Sequence, residues 1–196
     1  MRKAYKTFLL ERRMVFGWII GGIIALVVIM LIYYYNKFVV LGNRIDNSLS
    51  QIDVQLRKRA DLVPNLISTV KGYAKHEKAI MTEVTEARKH MLSAKDLKGR
   101  VKAGNELQTA LKSIFAIAEN YPQLKANENF LHLQQELAAI EDKIAYSRQY
   151  YNDSILSYNN SVEKFPGMMF AKMYGAKEKE YLEIPAEARV VPKVDF

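Results

Sequence analysis

Apolar positions recur every three or four residues along three stretches of the chain. They run in such steps from Leu41 to Ala74, from Leu107 to Tyr121 and from Phe130 to Val162. This spacing places apolar side chains on one face of an α-helix. Because no stretch before the last residues sustains the two-residue alternation of a strand, we predict an all-α fold: an antiparallel bundle of three to four long helices. The heptad-like spacing also fits a coiled coil between chains.

Helix-breaking residues mark the expected boundaries of these helices. Proline lacks a donor and crowds the preceding turn, so Pro64 predicts a kink or short break in the first helix. The Leu97-Lys98-Gly99 sequence predicts the turn before the second stripe, and Asn120-Tyr121-Pro122 its end. Asn127 is expected to cap the third helix, which Phe165-Pro166-Gly167 should stop.

An uncharged run of 21 residues, Val15 to Tyr35, precedes the bundle. At about 1.5 Å per residue it covers roughly 30 Å, the thickness of a bilayer core. Trp18 near one end and Tyr33 to Tyr35 at the other match the aromatic belts of a spanning helix. A signal peptide has a shorter apolar region ending in small residues, so we expect a retained anchor that continues into the first bundle helix. Membrane lipids are therefore expected partners of residues 15–35.

The charges that flank this run indicate an orientation. Five basic residues precede it, against only Lys37 and Arg44 shortly after it; the five are Arg2, Lys3, Lys6, Arg12 and Arg13. The positive-inside rule then favours an N-terminus in the cytoplasm and a bundle outside it. We expect a single-pass protein of the cytoplasmic membrane, with the opposite topology as the alternative.

Charge is unevenly distributed along the chain, whose net charge is +8. Residues 54–102 carry twelve basic and five acidic side chains, whereas residues 103–163 carry four and eight. Two halves of opposite sign would attract each other if they packed antiparallel. Anionic lipid headgroups are the alternative partner of the basic half. Because acids are interspersed and no recognition motif is present, we expect no nucleic-acid partner.

Motifs for catalysis or metal binding are missing from the sequence. The absence of cysteine excludes disulfides, thiolate zinc sites and cysteine nucleophiles. The Glu-x-x-His pairs of di-iron bundles do not occur, and Ile80 stands where the zinc-protease motif begun by His76-Glu77 needs its second histidine. No P-loop, G-x-G-x-x-G or G-x-S-x-G is found. We therefore expect no enzymatic activity, no cofactor and no metal site, and three histidines at the surface.

Polar residues crowd two helices that otherwise show apolar stripes. Asparagine and aspartate are poor helix formers, so their density predicts hydrogen-bonded networks that fix the register of two facing helices. The alternative is a groove for a ligand or partner lined by the same residues. The candidate residues are Asp53, Gln55, Arg59, Asp61 and Asn65 on the first helix, and Tyr146, Arg148, Asn152, Asp153 and Asn159 on the third.

A methionine-rich segment follows the Pro-Gly stop and ends at Gly175. It is interpreted as a short helix packed on the end of the bundle. Methionine side chains also suit pliable contacts with a partner or lipid, for which the candidates are Met168, Met169, Phe170 and Met173. The chain thus divides into a basic arm (residues 1–14), a transmembrane helix (15–35), a helical bundle (36–166) and a short amphipathic segment with an extended tail (167–196).

Two segments resemble the signatures of the bacterial LemA family. The first is Gln51-Ile52-Asp53-Val54-Gln55-Leu56-Arg57-Lys58-Arg59-Ala60-Asp61-Leu62-Val63-Pro64-Asn65-Leu66, continuing through Val70-Lys71-Gly72-Tyr73. The second is Tyr151-Asn152-Asp153-Ser154-Ile155-Leu156-Ser157-Tyr158-Asn159, followed by Phe165-Pro166-Gly167. The ending Val191-Pro192-Lys193-Val194-Asp195-Phe196 is similar to that family's too. The resemblance implies a helical bundle behind one membrane anchor in a bacterial envelope, and no established enzymatic function. Some members are assigned the opposite topology.

These observations favour a membrane-anchored adaptor or scaffold that acts through protein or membrane contacts of its helices. We expect an envelope protein partner or a homo-oligomer. An enzyme or metal-binding bundle whose site a single sequence does not reveal is the first alternative, and a purely structural homo-oligomer is the second.

Overall fold

A computed structural model describes the backbone from Arg2 to Leu182 and the side chains from Glu11 to Leu182. It contains six helices and, within this part of the chain, no strand: α1 (Arg2–Tyr73), α2 (Lys78–Ser93), α3 (Leu97–Ala118), α4 (Pro122–Lys125), α5 (Glu128–Glu163) and α6 (Gly167–Tyr174). The all-α prediction is confirmed. The predicted extended end, Arg189–Phe196, lies outside the described residues.

The helices are distributed over two compact units, and α1 and α5 contribute to both. The first unit comprises residues 2–43 and 156–179, which include α6. The second comprises residues 44–155 and the segment that begins at Glu180.

The second unit packs parts of α1 and α5 with α2, α3 and the single-turn α4 around an apolar core. The side-chain amide of Asn127, the residue before α5, donates a hydrogen bond to the Tyr73 hydroxyl at the end of α1, and an ion pair joins Arg59 to Glu141, so α1 and α5 run antiparallel. The predicted stripes supply the core, with Ile52, Ile114 and Ile144 almost fully buried. The sequence showed no stripe for α2, which contributes Met81, Val84, Ala87 and Met91.

The break predicted at Pro64 does not occur, because α1 continues without interruption to Tyr73. Proline leaves the carbonyl four residues earlier without its helical donor. That carbonyl belongs to Ala60, and the Arg88 side chain of α2 donates its Nε–H to it at 2.8 Å. A guanidinium from the neighbouring helix thus replaces the missing backbone bond, and the helix tolerates the proline.

Other predicted boundaries lie close to those observed. Asn127 caps α5 by accepting the Phe130 amide at 3.0 Å, as expected. The turn predicted at Leu97–Gly99 is wrong by a few residues, since Asp96 is the cap of α3 and accepts the Gly99 amide at 2.7 Å. The stop at Phe165–Gly167 and the short helix after it are both present.

In the first unit, α1 is long and apolar enough to cross a membrane by length and composition. Its side chains from Val15 to Ile29 are exposed, whereas Phe38 and Leu41 are buried. The helix α6 packs where the exposed apolar stretch ends, through stacked rings of Tyr34 and Phe170 whose centroids are 4.9 Å apart.

Candidate functional site

A buried arginine lies at the centre of the second unit. Arg59 follows the apolar stripe of α1 and is only 2% exposed. Its guanidinium forms an ion pair with the Glu141 carboxylate of α5 and donates to the Gly104 carbonyl of α3 at 3.2 Å. Glu141 also accepts a hydrogen bond from the Gln108 side chain at 2.7 Å. One charged centre thereby connects three helices and fixes their register.

Burial disfavours the charged form of this arginine. Burial and, to a lesser extent, the nearby positive charge of Arg148 together lower the pKa of Arg59 to about 10. Burial also lowers the pKa of Arg148, whose guanidinium donates to the Asn105 side chain at 2.7 Å. Arg59 therefore remains a cation near neutral pH, and both guanidinium groups need polar partners in the core.

The Asp53 carboxylate joins α1 to α3. It pairs with Arg57 one turn later at 3.1 Å, as expected from their spacing, and with Arg100 of α3 at 2.6 Å. Arg57 is exposed while Arg100 is mostly buried, so the second pair is better shielded from solvent.

The remaining candidates of the polar cluster differ widely in environment. Gln55 is half-buried, whereas Asp61, Asn65, Tyr146 and Asp153 are exposed. Within the second unit, Arg59 contacts Glu141 and Arg148 contacts Asn105. Neither partner was among the residues predicted from the sequence. The available signal was Arg59 itself, because an arginine on an apolar stripe requires an acidic partner on a facing helix.

Asn152 contacts an extended segment that follows α6. Its side-chain amide donates to the Leu182 carbonyl at 3.3 Å, and its side-chain oxygen accepts the Leu182 amide at 3.0 Å. The Tyr151 hydroxyl donates to the Glu180 carbonyl at 3.1 Å. These three bonds hold residues 180–182 through main-chain atoms alone.

A cavity of about 520 Å³ adjoins this segment within the second unit. Leu49 and Val101 contribute apolar lining, together with Tyr181 of the segment. Lys98 and Lys102 line it at the start of α3, and the Lys98 ammonium lies 3.6 Å from the Glu180 carboxylate. The groove formed by Leu49, Lys98, Val101, Lys102, Tyr151 and Asn152 therefore offers main-chain recognition, an apolar space and positive charge.

Asn159 makes a similar contact within the first unit. Its side-chain amide donates to the Lys179 carbonyl at 3.0 Å and its oxygen accepts the Lys179 amide at 2.9 Å. Because a carboxamide carries the same donor and acceptor as a peptide group, it can pair with extended backbone. The sequence identified Asn152 and Asn159, but not the segment that they bind.

The methionine-rich candidates occupy α6 and present different faces. Phe170 packs on Tyr34, whereas Met168, Met169 and Met173 are exposed.

The three histidines are exposed, as expected. Among the side chains from residue 11 to 182, no group of three histidine, aspartate or glutamate residues is placed to hold a metal ion.

Three relatives share similarity with much of the chain. Magnetosome protein MamQ of Magnetospirillum gryphiswaldense is 27% identical, over 80% of this chain and 67% of its own length. Magnetosome protein MamQ 2 of Paramagnetospirillum magneticum is 25% identical, over 78% of this chain and 66% of its own length. Protein LemA of Metamycoplasma hominis is 23% identical, over 63% of this chain and 57% of its own length. The chain thus spans about two thirds or less of these relatives' lengths.

The family model for the LemA family matches residues 48–196, which is well over half of the chain and includes the charged centre and the groove. Together with the long apolar helix, this match indicates a membrane-associated helical protein. The chain belongs to the LemA family.

Proposed function

We propose that this protein is a membrane-anchored adaptor of the bacterial envelope, tethered by residues 15–35 and binding an extended segment of a partner protein in the groove beside Asn152. The observation that carries this proposal is the main-chain recognition of residues 180–182 by Tyr151 and Asn152. Such bonds provide affinity for an extended peptide whatever its side chains, while neighbouring pockets provide selectivity.

The chemistry of the groove supports a definite class of partner. Lys98 and Lys102 favour an acidic residue, as the pairing of Lys98 with Glu180 illustrates. The adjoining cavity favours an apolar side chain close by. The expected partner therefore presents an extended stretch in which an acidic residue precedes apolar ones.

The bundle interior supports an adaptor more than an enzyme. Arg59 and Glu141 contact each other, and Arg148 contacts Asn105. Contacts of this kind engage these side chains with each other, which favours a role in holding helix register over a role in acid–base chemistry. The charge flanking residues 15–35 favours a groove outside the cytoplasm.

Binding of a peptide in trans tests the proposal. A variant that ends at Gly175 lacks the bound segment, and a labelled peptide of residues 177–196 replaces it. We expect saturable binding to the variant in nanodiscs, measured by fluorescence anisotropy. Asn152→Ala should weaken it about tenfold, since two hydrogen bonds of about 0.5–1.5 kcal/mol each are removed. Asn65→Ala, at an exposed asparagine outside the groove, is the matched control.

The full-length chain should bind the same peptide more weakly, because its own segment occupies the groove at high effective concentration. A photo-cross-linker at Lys102 in native membranes should then attach to another protein, and excess peptide should reduce that product. Cross-links confined to the chain's own C-terminal segment would contradict an adaptor role. Cross-links to a second copy alone would favour the structural homo-oligomer.

A further inference from the structure

The helix α6 is held at one particular level of α1 within the first unit. Phe170 stacks on Tyr34, and the Tyr174 hydroxyl donates to the Leu31 carbonyl at 3.0 Å. The Tyr174 ring also meets the edges of Tyr35 and Phe38, at centroid distances of 5.5 and 6.4 Å. All these contacts fall on the last turns of the apolar run and the turn that follows it.

Close packing at the start of α6 fixes this position. A side chain at Gly167 would collide with the Ser161 carbonyl and come within 3.1 Å of the Tyr34 ring. Gly167 and Ala171 are correspondingly buried. Small residues one turn apart therefore allow this close packing, which the rings of Phe170 and Tyr174 extend, whereas Met169 and Met173 remain exposed.

Those longer side chains form an exposed apolar surface. Phe165 is 77% exposed, Met169 62% and Met173 59%. Lys164 and Lys172 border this surface and are also exposed. A concentrated patch of large apolar groups beside lysines is typical of helices that lie in a membrane interface.

The neighbouring part of α1 indicates what covers this surface. If residues 15–35 cross the bilayer, Leu31 to Tyr35 lie where the hydrocarbon core meets the headgroups. Tyrosines are enriched at that depth, and Lys37 reaches back over the Tyr33 and Tyr34 rings at 5.9 and 5.8 Å. The contacts of Phe170 and Tyr174 place α6 at the same depth.

We propose that the segment Phe165–Tyr174 is a second membrane contact, which inserts Phe165, Met169 and Met173 into the interface of the bilayer that α1 crosses. The inference rests on the membrane anchor in the proposed function and not on the groove. Flexible methionine side chains suit the irregular packing of acyl chains. Lys164 and Lys172 would meet anionic headgroups at the level of this segment.

Depth measurements on the full-length chain test this contact. The protein has no cysteine, so a single cysteine at position 165, 169 or 173 can carry a nitroxide label in nanodiscs containing anionic lipid. Ile24→Cys reports on the anchor, and Lys89→Cys, on an exposed residue of α2, reports on water. Power saturation with oxygen and a water-soluble nickel complex gives the depth of each label.

We expect the labels at positions 165, 169 and 173 to be protected from the nickel complex and exposed to oxygen, at depths between those at 24 and 89. Labels as water-exposed as the one at position 89 would overturn the proposal. So would labels that are mobile in nanodiscs and immobilised only in native membranes, since a protein would then cover the surface. A water-exposed label at position 24 would instead overturn the anchor, which distinguishes the two failures.

Discussion

The Arg88 side chain of α2 donates its Nε–H to the Ala60 carbonyl at 2.8 Å, at the position that Pro64 leaves without a helical donor. Since Ala60 is fully buried, this carbonyl has no access to solvent when Arg88 is removed. Arg88→Leu should therefore lower the free energy of unfolding by about 1–3 kcal/mol.

The same substitution should cost much less in a Pro64→Ala background, because the alanine amide restores the backbone hydrogen bond. Urea unfolding in detergent, followed by circular dichroism, is measured for the unmodified protein, the two single variants and the double variant. The four free energies give the coupling energy between Arg88 and Pro64. Equal costs in the two backgrounds would show that Arg88 does not compensate for the proline.

Arg59 and Glu141 give a second coupled pair. Among the described residues, Glu141→Leu leaves the buried Arg59 cation with the Gly104 carbonyl as its hydrogen-bond partner, and we expect the free energy of unfolding to fall by about 3 kcal/mol. The double variant Arg59→Met/Glu141→Leu should be more stable than Glu141→Leu alone, since apolar side chains then replace the whole pair. Urea unfolding measures both. A double variant that is less stable would contradict this account of the charged centre.

Gly104 allows the close approach of α1 and α3. A Cβ atom there would lie 2.6 Å from Leu56 Cδ2, and the fully buried Leu56 side chain would have to move. Overpacking of this kind costs about 1–3 kcal/mol, which exceeds the gain of about 0.5–1 kcal/mol in helix propensity, so Gly104→Ala should destabilise. Gly42→Ala is the matched control, because nothing lies within 4 Å of the added atom and alanine favours helix by about 0.5–1 kcal/mol. The midpoint temperature of thermal unfolding should fall for Gly104→Ala and rise for Gly42→Ala.

Tyr151 should make stability fall at alkaline pH. Burial raises its pKa above the usual 10, and the negative charges of Asp46 and Glu180 raise it further. The unfolded chain therefore releases the phenolic proton first, so the stabilisation is complete below pH 10 and is lost as pH rises through the folded-state pKa. In the Tyr151→Phe variant, the free energy of unfolding measured with urea should depend less on pH between about 9 and 11.

Topology can be read from the same cysteine-free chain. Lys89→Cys introduces one thiol at a side chain that is 72% exposed. With the N-terminus in the cytoplasm, a membrane-impermeant maleimide should label it in intact spheroplasts, and a cytoplasmic control thiol should stay unlabelled. Labelling only after lysis would establish the opposite orientation.

Local patterns in the sequence were sufficient for most of the fold. Helix periodicity identified the buried faces of α1, α3 and α5, and Asn127 identified the start of α5. These features depend on residues within a few turns of each other. The break expected at Pro64 is absent because Arg88 supplies the missing hydrogen bond. Arg88 is distant in sequence, so the local pattern did not reveal it.

Long-range contacts limited the prediction of the candidate site. The side chains of Asn152 and Asn159 were recognised as unusual for a helix, but the segment that they bind lies 20–30 residues further along the chain. Glu141 resembles any other surface acid in sequence, and only the packing of α5 on α1 brings it to Arg59. One sequence contains no record of such pairs.

The contact between Asn152 and Leu182 has a consequence for how this chain can diverge. Its two hydrogen bonds use the amide and carbonyl of residue 182 and no atom of the leucine side chain. Any substitution at that position preserves both bonds, except proline, which has no N–H. Residue 182 can therefore change its side chain between species while keeping both hydrogen bonds to Asn152 of α5.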